Sequence, residues 1–229
     1  MKIIYKKNLL LDQLQKTFIS NIKTAIPILN NMLISAKEGY LTTTSTDLNI
    51  SIKYKQKLDI EKDGSIVLPG KKLIEIINNL EDEVIIEVDN LKTQIKSGRS
   101  IFHLMGIEAE EFPAFPEVKW NIEFNISSYV LLDIIKMVIF SASSDETLIP
   151  FCGMYLELRD NKIKAVTSDR HRLSIMETNL PLKENIDIII PIKVVYEITK
   201  VLRGVEGDIK ICICDKEIGI ETENITFIG

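Results

Sequence analysis

Apolar residues recur along this chain in two alternating rhythms. Leu11, Leu14, Phe18 and Ile22 stand at helical spacing, with Asp12, Gln15 and Lys16 turned away. That predicts a helix from a cap at Asn8 to about residue 21. Leu48, Ile50, Ile52 and Tyr54 alternate with polar residues, the pattern of a half-buried strand. Leu73, Ile76, Ile77 and Leu80 form the buried stripe of a second helix, opened by Pro69-Gly70, with Lys71, Glu75 and Asn78 opposite. Strands are predicted at 2–6, around 28–36 and 40–44, and at 66–68, 84–89, 92–96 and 100–105, with Ser97-Gly98-Arg99 as a hairpin turn. A proline-rich acidic stretch follows at 108–118. The same order then restarts: a strand at 122–126, a helix from a cap at Ser127 through Val138, and strands at 151–158, 162–167, 171–177 and 186–190. Pro191 opens a helix to about Leu202, and strands close the chain at 209–213, 218–221 and 225–228.

The restart is a duplication. The stretch from Thr44 to Ile52 has a twin from Thr167 to Ile175, with Asp47 and Asp169 offset by 122 positions. The same offset carries Met32 onto Met154, Phe18 onto Phe140, and Pro69, Lys71, Glu75, Ile76 and Leu80 onto Pro191, Lys193, Glu197, Ile198 and Leu202. A row of identities at one offset means a tandem unit of about 120 residues. Two domains are expected, 1–120 and 121–229, the second truncated because nothing in it matches 106–120. Many strands with few helices give an α+β fold, each unit carrying antiparallel sheet on one side and two helices on the other.

Composition narrows the function. A hydrophobic fraction of 45% with 27% charged residues is that of an ordinary soluble globular protein. The start, Met1 to Lys7, lacks the apolar core of a signal peptide, so a cytoplasmic location is expected. Cys152, Cys212 and Cys214 are too few for a disulfide framework and lack a second pair at ligand spacing, so no metal is expected. The net charge of −5 falls wholly in the second half. Gross basicity therefore cannot drive nucleic-acid binding, although basic groups gathered on one face still could.

The repeat and its motifs resemble the β sliding clamp of bacterial DNA polymerase III. The resemblance rests on Thr24-Ala25-Ile26-Pro27-Ile28-Leu29-Asn30-Asn31, Thr44 to Leu48, Leu68-Pro69-Gly70-Lys71-Lys72-Leu73, Phe112-Pro113-Ala114-Phe115-Pro116, Phe140-Ser141-Ala142-Ser143 and Ser168 to Leu173. It extends over the whole chain. It implies a clamp of three such units per subunit, with two subunits closing head to tail into a homodimeric ring, helices inside and sheet outside. Such a ring is a processivity factor without catalytic activity or cofactor. Its implied partners are double-stranded DNA, the DNA polymerase III catalytic subunit, the clamp loader and other proteins with clamp-binding motifs. The third unit would be missing here.

Site residues follow from the helix faces and from the resemblance. A sliding contact attracts phosphates without reading bases, so it needs mobile point charges. Lys16, Lys71, Lys72, Lys136, Lys193, Lys200 and Arg203 lie on polar helix faces, and Lys23 occupies the basic position that the resemblance places after the first helix. The plain alternative is solvated helix charge, and Glu197 dilutes the patch around Lys193 and Lys200. For partner peptides, the resemblance implies one wall of an apolar cleft at Ser168, Arg170, His171, Arg172 and Leu173, with Phe151 adjoining. Arg172 would hold a carbonyl, and Leu173 and Phe151 would take apolar anchors. Arg170 stands where the family commonly has a small residue. The plain alternative is a tight turn between strands. A standalone peptide-binding module without DNA encirclement is the competing function. Ser168, Asp169 and His171 hold the letters of a hydrolytic triad but stand too close in sequence to converge as one. Asp145-Glu146 reads as a surface loop, and His103 as a structural residue on a strand.

Overall fold

The computed structural model describes residues 1–20, 25–145, 147–182 and 185–229. The first unit comprises 1–117 together with 223–228, and the second 118–222 with Gly229.

In the first unit the chain runs β1 (Lys2–Lys6), α1 (Lys7–Thr17), β2 (Asn31–Lys37), β3 (Tyr40–Thr46), β4 (Ser51–Lys57), β5 (Ile60–Lys62), β6 (Gly64–Pro69), α2 (Gly70–Asn78), β7 (Glu83–Asp89), β8 (Lys92–Ser97) and β9 (Ser100–Met105). In the second it runs β10 (Ile122–Ser127), α3 (Ser128–Val138), β11 (Gly153–Arg159), β12 (Lys162–Ser168), β13 (Leu173–Asn179), β14 (Ile186–Pro191), α4 (Ile192–Val201), β15 (Asp208–Ile213) and β16 (Ile218–Glu221). A last strand, β17 (Ile225–Ile228), groups with the first unit, where it pairs with β4.

Strand order in the first unit is β5-β1-β7-β8-β9 in one sheet and β17-β4-β3-β2-β6 in the other. In the second unit it is β13-β12-β11-β14 in one sheet, and β10-β15-β16 pair in that order in another. The duplication extends to register. Leu33 faces Thr44 as Tyr155 faces Val166; Asn31 faces Pro69 as Gly153 faces Pro191; and Thr46 faces Ser51 as Ser168 faces Leu173. Every one of these pairs moves onto its twin at the offset seen in the sequence. A slip of one residue would turn each strand's apolar side outward, so burial holds both copies to one register.

The first unit's core joins both helices to both sheets. Leu10 and Leu14 of α1 and Leu73 and Ile77 of α2 meet Ile34, Leu41 and Leu68 of one sheet and Ile3, Val84, Ile86 and Ile95 of the other, all essentially inaccessible. In the second unit Leu131, Ile134, Ile135 and Val138 of α3 and Val194, Val195 and Ile198 of α4 take the same places.

Helix α1 is shorter than its periodicity predicts. It ends at Thr17, and Phe18 is extended with φ −68° and ψ 117°. Asn21 and Ile22 lie outside the described residues. Gln13, which faces the core, is wholly buried and donates to the Leu41 and Tyr54 carbonyls, while Thr17 Oγ1 donates to the Gln13 carbonyl.

The helix starts correct two expected caps. Neither Asn8 nor Ser127 caps through its side chain. Instead the Lys7 amide donates to the Asp82 carbonyl at 2.7 Å, and Lys7 Nζ to the Leu80 carbonyl at 2.8 Å. In the second unit the Ser128 amide donates to the Gly207 carbonyl at 2.9 Å, and Ser128 Oγ to the Val205 carbonyl at 2.7 Å. The turn after the second helix of each unit thus takes the first of the orphan amides at the start of the first helix, and a side-chain donor of the same residue ties the two together.

Candidate functional site

The twin loops share one construction. In the second unit, Asp169 Oδ1 accepts the amides of His171 and Arg172, each at 3.0 Å. Ser168 Oγ accepts the Arg170 amide at 3.2 Å and donates to the Arg172 carbonyl at 2.8 Å. In the first unit, Asp47 Oδ1 accepts the amides of Asn49 and Ile50 at 3.0 and 2.7 Å, and Thr46 Oγ1 accepts the Leu48 amide and donates to the Ile50 carbonyl, both at 3.0 Å. Each carboxylate acts as a backbone acceptor that bends the chain between two strands. The residue after each aspartate adopts left-handed backbone: Leu48 has φ +74° and Arg170 φ +78°. A non-glycine residue there is uncommon, and the two hydrogen-bonded flanks hold it.

Ser168 and Asp169 are therefore turn builders. Ser168 directs its proton to the Arg172 carbonyl, which is not the geometry of a nucleophile next to a base. What the turn presents outward is Arg170, His171, Arg172 and Leu173, all exposed, Leu173 at 61%. Arg172 Nε is held by Asp169 Oδ2 at 2.8 Å, which orients its guanidinium while leaving other N–H groups to face outward. Phe151 is half-buried in the turn Ile149–Phe151, and its carbonyl accepts the Ser143 amide at 2.9 Å. Ser141 and Ser174 hydroxyls meet at 2.7 Å, tying the segment after α3 to β13. Around these lie exposed apolar side chains that the periodicity did not single out: Phe140 at 60% and Ile149 at 78%. Phe140 follows a helix whose buried stripe ends at Val138, so its exposure could have been read from that stripe.

Hydrogen bonds from the Arg172 amide, followed by those from His171 and the Arg172 side chain, hold the Asp169 carboxyl below the usual carboxylate range against a smaller opposing effect of burial. The sign follows: the folded turn is favoured at pH above the unfolded carboxyl value and loosens as pH falls through the lower folded one. Protection of the His171 and Arg172 amides, taken relative to their intrinsic exchange rates, should fall as Asp169 is protonated in acid, and Asp169→Ala should lower it at neutral pH. The twin change Asp47→Ala should cost more, about 1–3 kcal/mol in a denaturant melt, because it strips the buried Ile50 amide of its acceptor.

The basic candidates divide by environment. Lys71 and Lys72 are exposed in the first turn of α2, Lys193 is exposed in the first turn of α4, Lys136 is exposed on α3, and Arg203 is exposed just after α4. Lys16 pairs with Asp12 at 2.9 Å, and its side chain is only 12% accessible. Lys200 is half-buried and pairs with Glu197, burial pulling its pKa down despite that carboxylate. Lys23 lies outside the described residues. Placement at a helix start is informative. The partial positive charge of a helix N-terminus disfavours lysine, by roughly 0.3–1 kcal/mol. Neither α2 nor α4 has an acidic residue in its first turn. Lys71 and Lys193, twins in the repeat, thus each join a cationic side chain to the positive end of a helix, the arrangement that suits a phosphate.

Asp145 and Cys212 are structural in place. Asp145 Oδ1 accepts the Thr147 amide and hydroxyl at 3.0 and 2.7 Å, a turn again, and Glu146 lies outside the described residues. Cys212 is buried, which pushes its thiol up to about 11, and it behaves as a small apolar side chain. His103 is exposed on β9. No described helix is long and apolar enough to cross a membrane.

Comparison with known proteins agrees with this geometry. Residues 1–116 match the model of the DNA polymerase III beta subunit N-terminal domain, and 125–229 that of its central domain. A beta sliding clamp of Staphylococcus epidermidis is 30% identical over 241 residues, an alignment that covers 100% of this chain and 64% of that protein. The chain thus spans less than two thirds of that relative's length. Among solved structures, a sliding clamp of Pseudomonas aeruginosa bound to griselimycin is similar with TM-score 0.92 at 26% identity, covering 100% of this chain and 64% of that one. The DNA polymerase sliding clamp of Bacillus subtilis is similar with TM-score 0.88 at 28% identity, over the same shares. With both of its repeats matched, in order and almost end to end, the chain belongs to the DNA polymerase III beta subunit family.

Proposed function

We propose that this chain supplies two units of a ring that encircles duplex DNA and tethers the replicative polymerase for processive synthesis, without catalysing a reaction itself. The observation that carries this reading is the pair of lysines at repeat-equivalent helix starts, Lys71 and Lys193, with Lys72, Lys136 and Arg203 also exposed on or beside helices. Charges that work against their own helices are poorly explained by stability and well explained by phosphates. The contacts are lysine-rich and mobile, suited to sliding and unsuited to reading bases. Double-stranded DNA is the ligand; the polymerase catalytic subunit, the clamp loader and other proteins with clamp-binding motifs are the protein partners.

The outward face of the Asp169 turn, with Arg172 oriented and Leu173 bare, supports a wall for short apolar peptide motifs. This also fits the second reading, a peptide-binding module that acts without DNA. Duplex binding measured against salt separates the two. If about six phosphates are neutralised, log affinity should fall with log salt at a slope of roughly −5. A slope near zero, with peptide binding intact, would leave only the module.

A further inference from the structure

The two aspartate turns are one backbone with two different outward surfaces. At the repeat offset, Leu48, Asn49 and Ile50 of the first unit correspond to Arg170, His171 and Arg172 of the second. The first trio carries no charge, whereas the second carries two guanidiniums and an imidazole. Closing the turn requires none of these. In both copies an aspartate oxygen takes two amides, and a hydroxyl accepts the first amide of the bend and donates to the carbonyl that ends it. Leu48 also shows that the left-handed position accepts an uncharged side chain, at φ +74°. The cations of the second turn therefore need a reason outside the turn.

Their charge is not balanced locally. The turn's own carboxylate, Asp169, is fully engaged, Oδ1 by the amides of His171 and Arg172 and Oδ2 by Arg172 Nε. Among the described residues, no carboxylate pairs with the Arg170 guanidinium or the His171 imidazole. Arg170 is exposed, and its amide is held by Ser168 Oγ at 3.2 Å. Its backbone is thus fixed at the rim of the turn, while its guanidinium N–H groups stay available. Arg172 turns its Nε toward Asp169 and keeps its other donors. Leu173, bare to solvent, follows directly. Two guanidiniums beside one exposed apolar side chain make a surface with a charge preference as well as an apolar one.

We propose that Arg170 selects among partner peptides, favouring those with an aspartate or glutamate beside the apolar residue that docks on Leu173. Arg170 and the outward N–H groups of Arg172 are the donors to that carboxylate. The inference rests on the reading of this turn as a peptide wall, and adds to it the charge that the peptide carries. A guanidinium meets a carboxylate through two parallel hydrogen bonds, a geometry that an ammonium cannot match. Basic peptides are turned away at the same place by like charge. A nucleic-acid phosphate would take the same donors but has no use for Leu173, whereas an acidic peptide uses both.

Three short peptides with blocked ends test this, identical except for the pair of residues beside two leucines: Asp-Asp, Asn-Asn or Lys-Lys. They are titrated into the 229-residue chain and followed at the amide resonances of His171, Arg172 and Leu173. At low ionic strength the Asp peptide should bind about fivefold more tightly than the Asn peptide, and the Lys peptide more weakly than either. The ratio should shrink toward one at high salt. Arg170→Leu places there the residue that the twin turn already carries, and should abolish the preference for Asp. Arg170→Glu should turn the preference toward the Lys peptide; if that variant fails to fold, Arg170→Leu carries the test. Leu173→Ala should weaken all three peptides. Equal binding of the three by the unaltered chain overturns this inference and leaves the peptide wall standing, whereas no binding of any peptide overturns both. A preference for Asp that survives both Arg170 variants also overturns it, because the carboxylate then binds elsewhere. So does a short DNA duplex that displaces the Asp peptide and itself fails to bind Arg170→Leu, which would make the turn a phosphate site.

Discussion

Phe227→Ala should destabilise the first unit by about 3–5 kcal/mol, the usual cost of emptying a buried aromatic site. Phe227 comes from the far end of the sequence, 175 positions from the Ile52 that it faces, and both are wholly buried. The strand around it is short, so one side chain carries much of its burial. Little can move in to fill the gap, because Ile225, Ile52 and Ile50 on either side are themselves inaccessible. Hydrogen exchange during a urea melt locates the effect. Protection should fall first at the β4 amides, while those of β11 and β12 in the second unit keep theirs. If β4 keeps its protection in Phe227→Ala, β17 contributes far less to that sheet than its burial implies.

The second large effect is on DNA. Replacing Lys71, Lys72, Lys136 and Lys193 together by alanine should flatten the salt dependence of duplex binding by nearly one unit of slope for every phosphate no longer neutralised, about 3.6 for four. At low salt the affinity should fall by several orders of magnitude. The fold should tolerate the change. All four side chains are exposed, and alanine is a better helix former than lysine, most of all at helix starts, where lysine opposes the helix charge. An unchanged or raised melting temperature together with abolished DNA binding is therefore the expected pair of results. Lys200→Ala is the contrasting control. Its ammonium is half-buried against Glu197, so its removal should reduce stability more than it reduces the salt slope. If the four exposed lysines can be removed without altering the slope, the phosphates bind elsewhere.

Much of the fold could be read from residue order. Alternation along β4 and helical spacing along α2 placed those elements within a few residues, because one buried side per element imposes its own period on the sequence, and the repeat of the same order placed α3 and α4. The Asp47 and Asp169 turns were legible for a related reason. An aspartate that accepts amides two and three positions ahead needs only local chain, so the motif carries its own geometry. Arg170 shows where local reading ended: nothing in its identity announced a φ of +78°, which the flanking hydrogen bonds impose.

What the amino-acid order determined alone was the duplication, the α+β class and the register that the two copies share. Those depend on which side of each element is apolar, and that is written residue by residue. Only the tertiary structure decided that carbonyls after the second helix, and not Asn8 or Ser127, take the first amides of α1 and α3. Only it placed Gln13 inside, where the Leu41 and Tyr54 carbonyls receive its amide. It also placed β17 on β4 and sorted the exposed lysines from Lys16 and Lys200. Each of these depends on groups far apart in sequence meeting in space. A backbone carbonyl, a sheet edge or a carboxylate brought from elsewhere leaves no periodic trace in the chain that receives it.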